Sequence, residues 1–321
     1  MITRNLFRQA ALAVRHNKTL WLLGLLSSSA KLFGNIVRIG LVFALPVWMG
    51  STDWSASQLS SLLSRQESWV AIRNWLMGAL ILAAVALLLL WIISTIAEGG
   101  LIAAITLGKN GQQLNTRAAL AQGYQHLAQF VTVDTILYFP AFAILLLLIL
   151  ITTAVVISIM LSGISGSASS AEGSLAAAVA CLIPMLVLLL PVYLLTKLFR
   201  RVAFRKLVLA DIGVRESIRG AWRLIRERPA SIIVVAAVLW GTGYLFSGTL
   251  SLVELPLFGI IFLPLIPMEI GAVNFLAEAS RWFTLLHAVV LLVSSGLTAL
   301  LHAFTSAAWT ILMLPEEWPE S

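Results

Sequence analysis

Five ionisable side chains fall inside or at the edges of long apolar runs: Lys31, Arg38, Glu98, Asp134 and Glu254. Charge near the centre of a bilayer is expensive and requires a partner or water, so these five are the candidates for an intramembrane polar site. Glu98 and Asp134 stand near run ends, Glu254 near an opposite end, and Lys31 and Arg38 beside the polar triplet Ser27, Ser28 and Ser29. At each position a paired or interfacial structural role competes with transport chemistry. A second constellation is cationic. Arg215, Arg219, Arg223 and Arg226 recur at helical spacing beside an apolar stripe of Val214, Ile218, Ala221, Trp222 and Ile225. Such a helix can lie in a membrane interface with its arginines among anionic headgroups. The same pattern also fits a cytoplasmic helix packed on a bundle.

Patterns that carry catalysis are missing from the chain. His16, His126, His287 and His302 never approach HExxH or another tight ligand spacing. Gly108 and Lys109 lack the upstream glycine and following hydroxyl of a phosphate-binding loop, and no GxSxG elbow occurs. Cys181 is the single cysteine, which excludes an intrachain disulfide or a CxxC site. The sequence therefore implies no catalytic residue, cofactor or metal ligand. An intramembrane enzyme acting on lipids would need polar residues that converge only in the fold.

The elements that must position these residues are helices in lipid. The chain is 60% hydrophobic and 11% charged, against about 45–50% and 25% in soluble domains. Runs from Trp75 to Ala97, Thr135 to Leu161, Leu175 to Thr196, Ser231 to Val253 and Trp282 to Leu314 lack Lys and Arg. Each reaches the roughly 20 residues that cross a hydrocarbon core. A sixth segment, Thr19 to Gly50, is long enough but is interrupted by Lys31, Arg38 and the serines, and reads as a span with a possible break. The runs lack the alternation of barrel strands, so the fold class is an all-α integral membrane protein with about six transmembrane helices. Trp21, Trp48, Trp75, Trp91, Trp240, Trp282 and Trp309 fall mostly toward run ends, as interfacial anchors do.

Three segments superpose without gaps: TRNLFRQAALAVRHNK from Thr3, TRAALAQGYQHLAQFV from Thr116 and VRESIRGAWRLIRERP from Val214. Apolar residues coincide at Phe7, Leu120 and Ile218 and at Val14, Leu127 and Ile225, while Tyr124 aligns with Trp222. Each segment precedes two apolar runs. This predicts a threefold repeat of one amphipathic interfacial helix and two spans, over residues 1–112, 113–210 and 211–314, with an acidic tail at 315–321. Arg4, Arg8, Arg15 and Lys18 before LWLLGLLSSSA also imitate a signal peptide ending at Ala30, but that reading removes the first element of the repeat.

Six spans place 16 of the 21 Lys and Arg on the side of the N-terminus. The positive-inside rule then puts both termini in the cytoplasm and the chain in a cell (inner) membrane, with loops 51–74 and 162–174 outside. The net charge of +7 flanks apolar runs, so the expected partner is anionic lipid on the cytoplasmic side, and other membrane proteins, rather than nucleic acid. In ELPLFGIIFLPLIPM, Pro256, Pro264 and Pro267 argue against a straight helix between Glu254 and Met268. A kinked half-helix, a re-entrant segment or a surface loop would each fit.

The stretch FRRVAFRKLVLADIGVRESIRGAWRLIRERPA, from Phe199 to Ala230, resembles the membrane domain of glycerophosphoryl diester phosphodiesterases, with Gly213, Gly220 and Trp222 approximating its glycine–tryptophan core. HAFTSAAWTILML, from His302, is similar to that family's closing helix. The resemblance implies a membrane bundle and carries over no catalytic residue, because the soluble barrel of about 250 residues that hydrolysis needs has no counterpart here. Two functions remain open from sequence: a non-enzymatic bundle that organises lipid or membrane proteins, and a small-solute or ion transporter or channel.

Overall fold

A computed structural model describes residues 2–50, 66–109, 115–165, 168–262 and 270–314. Among them there is no strand. The helices in chain order are α1 (Ile2–His16), α2 (Lys18–Ser27), α3 (Ser29–Gly50), α4 (Gln66–Lys109), α5 (Thr116–Gln125), α6 (Leu127–Ser165), α7 (Ala168–Ala210), α8 (Val214–Glu227), α9 (Pro229–Phe262) and α10 (Ile270–Met313). Five contain stretches long and apolar enough to cross a membrane: Met77–Gly108, Leu127–Ala154, Ile183–Ala210, Pro229–Glu254 and Leu285–Met313. A sixth candidate is the broken pair α2 and α3, bent by 65°. The chain is an all-helical polytopic membrane protein.

The break falls on the serine triplet, and the reason is visible in its hydrogen bonds. A break frees carbonyls that lipid cannot satisfy. Ser27 Oγ donates to Gly24 O at 2.9 Å and Ser28 Oγ to Leu25 O at 3.1 Å. Ser94 of α4 donates to Ser27 O, while Ser29 Oγ reaches Leu90 O on the same helix at 3.3 Å. The Ser28 backbone N–H also reaches Gly24 O and Leu25 O, so backbone and hydroxyl donors together cover the carbonyls at the bend, and the contacts with Ser94 and Leu90 tie it to α4.

The segment after Glu254 stays helical, with α9 continuing through Pro256 to Phe262, as the half-helix alternative allowed. Proline is accommodated likewise at Pro140 of α6 and at Pro184 and Pro191 of α7, as is common in membrane helices where neighbouring groups take up the freed carbonyl. Pro264 and Pro267 lie outside the described residues. The Ser/Gly-rich segment 162–174 is not a long loop: α6 runs to Ser165 and α7 starts at Ala168. Alanine and serine there are compatible with helix, and polarity alone does not end one. Most of loop 51–74 and the acidic tail fall outside the described residues.

The chain divides into two compact units, 1–127 with 233–314, and 128–232. In the first, α2 packs on α4 and α10, α1 on α10, and α5 on α4. Burial concentrates on the last third of α4, where Ala97, Leu101, Ile102, Ala103, Ala104 and Ile105 are nearly inaccessible, and on Ala299, Ala303 and Trp309 of α10. Small residues let the backbones approach: a Cβ on Gly100 would stand 2.8 Å from Ala119 O, and one on Gly24 would stand 2.5 Å from Ala299 O. In the second unit, α8 packs on α7, and Phe130 and Val133 of α6 are buried with Val202, Phe204 and Leu207 of α7.

The three short helices share a burial pattern. In the ungapped superposition Leu6, Ala119 and Ser217 are equivalent, as are Ala10, Gly123 and Ala221, and all six are buried. The next position holds Ala11, Tyr124 and Trp222, all exposed. Each short helix also packs against a long one that closes a predicted unit: α5 on α4, α8 on α7, and α1 on α10. The first two pairs are neighbours in the chain; the third joins its beginning to its end.

Candidate functional site

In the first unit a polar seam runs along α3. Lys31, Asn35 and Arg38 recur at intervals of four and three, which places them on one helix face. Lys31 Nζ donates to Thr298 Oγ1 of α10 at 3.1 Å. Asn35 Nδ2 donates to Ser295 Oγ at 2.9 Å, with Ser294 Oγ and Leu291 O at 3.5 and 3.4 Å. Both serine hydroxyls spend their protons on Leu291 O, at 2.9 and 2.8 Å, so their lone pairs face the Asn35 amide. Residue numbers rise along α3 as they fall along α10, so the two helices are antiparallel. Arg38 Nη1 lies 3.6 Å from Glu254 Oε2 of α9, and His287, 3% exposed, sits one turn before Leu291 on α10.

The seam joins three of the five sequence candidates, Lys31, Arg38 and Glu254. It adds Asn35, His287, Ser294, Ser295 and Thr298, which a search for charge passes over. Their signal was present: 287, 291, 294 and 298 follow the helical interval on α10.

In the second unit Asp134 is paired with a residue the sequence reading did not single out. Arg200 Nε and Nη2 donate to Asp134 Oδ1 and Oδ2 at 2.7 and 3.2 Å, a two-pronged fit between planar groups. The guanidinium lies 4.3 Å from the Phe204 ring centre, and that ring stacks on Phe130 at 4.2 Å. One turn farther, Thr196 Oγ1 donates to Leu137 O at 3.3 Å. Phe130, Asp134 and Leu137 of α6 thus meet Phe204, Arg200 and Thr196 of α7 in an antiparallel ladder. This arrangement holds two helices together, and Asp134 and Arg200 are already committed to each other. Glu98 is buried, at 4% exposure, on the last third of α4 and is engaged there. Arg205 is fully buried and donates from Nη1 to Arg201 O at 2.8 Å.

The arginines of α8 face outward. Ser217 and Ala221 are buried while Arg215, Arg219, Arg223 and Arg226 are exposed. Trp222, grouped with the apolar stripe in the sequence, is exposed rather than buried with Ala221. At 58% exposure it lies on the line Arg215–Arg219–Trp222–Arg226, with its ring stacked on Phe199 at 5.5 Å. The buried face needs a small side chain at 221 for close approach to α7, which leaves the indole one position on to point away.

Among the described residues no three His, Cys, Asp or Glu side chains gather as a metal site would require. The seam is a row of fixed donors and acceptors, the ladder a clamp, and α8 a cationic surface with an aromatic at its centre. No known family pattern, curated protein or solved structure matches this chain.

Proposed function

We propose that this protein is a non-enzymatic membrane bundle that gathers anionic lipid around itself through α8, and that its fold is a threefold repeat. The observation that carries the lipid reading is the outward line of Arg215, Arg219, Trp222 and Arg226, with Arg223 beside it, on a helix whose other face is held by α7. An indole among arginines suits the headgroup layer, where an amphipathic ring and cationic side chains both find their partners. In this reading the basic helix ends and both termini face the cytoplasm of a cell membrane. The equivalent burial of Leu6, Ala119 and Ser217, and of Ala10, Gly123 and Ala221, supports the repeat. The likeness of Phe199–Ala230 to a phosphodiesterase membrane domain supports a membrane role apart from hydrolysis.

The test is lipid retention. Each Lys or Arg near an anionic surface contributes about 1 kcal/mol. Full-length protein released from nanodiscs of mixed phosphatidylglycerol and phosphatidylcholine should carry an excess of phosphatidylglycerol. Replacing Arg215, Arg219, Arg223 and Arg226 by Gln should remove most of that excess; unchanged retention refutes the reading.

The seam favours a second reading, passage of a small polar solute or ion along α3 and α10, because Lys31, Asn35, Arg38 and Glu254 form a continuous polar row. Substituting Asn35 by Leu should then abolish flux of the transported species in proteoliposomes while leaving lipid retention untouched. Absence of any flux difference across a panel of ions would reject it.

A further inference from the structure

We infer that the groove between α2 and α10 binds one anionic glycerophospholipid, with an acyl chain along the groove and the phosphate at Lys18. The site lies in the other compact unit from α8 and depends on the lipid-gathering reading only for the class of ligand. The groove is an open furrow of about 560 Å³. Trp21, Leu22 and Leu25 of α2 form one wall and Val293, Leu297 and Leu300 of α10 the other. The floor is made by small residues. Gly24 brings α2 onto Ala299 and Ala303, and Gly296 has open space within 4 Å of where a Cβ would stand. Two helices in close contact beneath and large apolar side chains above leave a furrow, and both helices belong to candidate spans.

Three features select the occupant. The lining is apolar except for Lys18, the first residue of α2, so the furrow suits a hydrocarbon chain with a negative group at one end. Lys18 is exposed, and the exposed Arg15 lies three positions before it at the end of α1, so the chain around that end of the furrow is cationic. The eight-residue wall from Lys18 to Leu25 is about 10 Å long, shorter than the roughly 15 Å of one leaflet's hydrocarbon. A single-leaflet lipid chain fits that length. The α2 wall is rigid at its cationic end, because Trp21 Nε1 donates to Val14 O at 2.6 Å, and it ends just before the 65° break at Ser28.

The experiment uses the full chain in nanodiscs of palmitoyl-oleoyl phosphatidylglycerol and phosphatidylcholine, with bound lipids counted by native mass spectrometry at rising collision energy. Wild-type protein should hold one phosphatidylglycerol beyond the energy that strips the others. Gly296→Leu fills the open space in the furrow and should lose that last lipid while keeping the wild-type melting temperature. Lys18→Gln should reduce its occupancy by about fivefold, the effect of one headgroup charge, with phosphatidylcholine adducts unaltered. A Gly296→Leu protein that melts normally and still holds the last lipid overturns the proposal. So does a Lys18→Gln protein with an unchanged preference for phosphatidylglycerol, and this exposed substitution decides the matter if Gly296→Leu does not fold. The quadruple α8 variant separates the two ideas. It should lose the broad phosphatidylglycerol excess and keep the single tight lipid; loss of the tight lipid there, with retention in Gly296→Leu, rejects the groove and leaves the surface reading standing. The reverse result, loss in Gly296→Leu with an unaltered excess in the quadruple variant, rejects the surface reading and supports the groove.

Discussion

Replacing Asp134 by Leu should destabilise the unit formed by α6, α7 and α8 far more than loss of an ordinary interhelical hydrogen bond. Polar contacts between membrane helices average about 0.6 kcal/mol, with the largest near 1.7. The Asp134–Arg200 contact differs because both partners are charged, with side chains 4% and 17% exposed. Removing one partner leaves a largely buried charge uncompensated, a loss of about 3–5 kcal/mol. Removing both is different: Asp134→Leu with Arg200→Met replaces the pair by apolar side chains, and such replacements are often neutral or stabilising. The stack of Phe204 on Phe130 persists in the double variant, although the cation over the ring is lost, about 0.5–2 kcal/mol. The assay is a double-mutant cycle on unfolding in mixed micelles, followed by circular dichroism. Each single substitution should lose at least 3 kcal/mol and the double should recover most of it. Singles within about 0.5 kcal/mol of wild type, the range of a surface substitution, would show that the pair contributes as exposed ions do. A double variant as unstable as the sum of the singles would show that the two residues act separately.

Other substitutions probe the close approaches and the seam. A Cβ at position 123 would collide with Ile96 O and approach Gly100 N at 2.8 Å, so Gly123→Ala should lower the melting temperature, whereas Gly78→Ala, with nothing within 4 Å, should be close to neutral. Asn35→Leu should cost about 0.6–1.7 kcal/mol, read as a lower detergent unfolding midpoint; Asn35→Gln would retain less than the full amide geometry and fall between. Replacing Ser27, Ser28 and Ser29 together by Ala removes three side-chain hydrogen bonds at the break, among them the Ser29 tie to Leu90 O of α4, and should loosen the bend of α2–α3, measurable as a changed distance between spin labels at Trp21 and Ile36.

The sequence was a good guide to features that depend on local chemistry. The apolar runs set the spans, the serine triplet marked the break, and the short segments at Thr3, Thr116 and Val214 appear as α1, α5 and α8, each ending before or at a break in the helix. What escaped depended on distant partners. Arg200 sat within a run of cations that read as a charged helix end, and only the fold of α6 against α7 shows that Asp134 claims it. Asn35 is separated from Ser295 by 260 positions, and neutral polar groups give no signal when the search is for charge. Trp222 and Ala221 were grouped in one apolar stripe, and only the fold separates them, with Ala221 buried and the indole exposed. Pro256 left three readings open, and the half-helix among them fits because neighbouring groups in a membrane helix can take up the carbonyl that proline frees.

The proposed engagement of lipid headgroups by α8 sets a depth for that helix that is directly measurable. A nitroxide label at Trp222→Cys, in a Cys181→Ser background, can be located by its accessibility to oxygen and to a water-soluble relaxant. In bilayers containing phosphatidylglycerol the label should sit at headgroup level, and it should move toward water when Arg215, Arg219, Arg223 and Arg226 are replaced by Gln. A label equally accessible to bulk water in both proteins, in anionic and zwitterionic bilayers alike, would contradict the account.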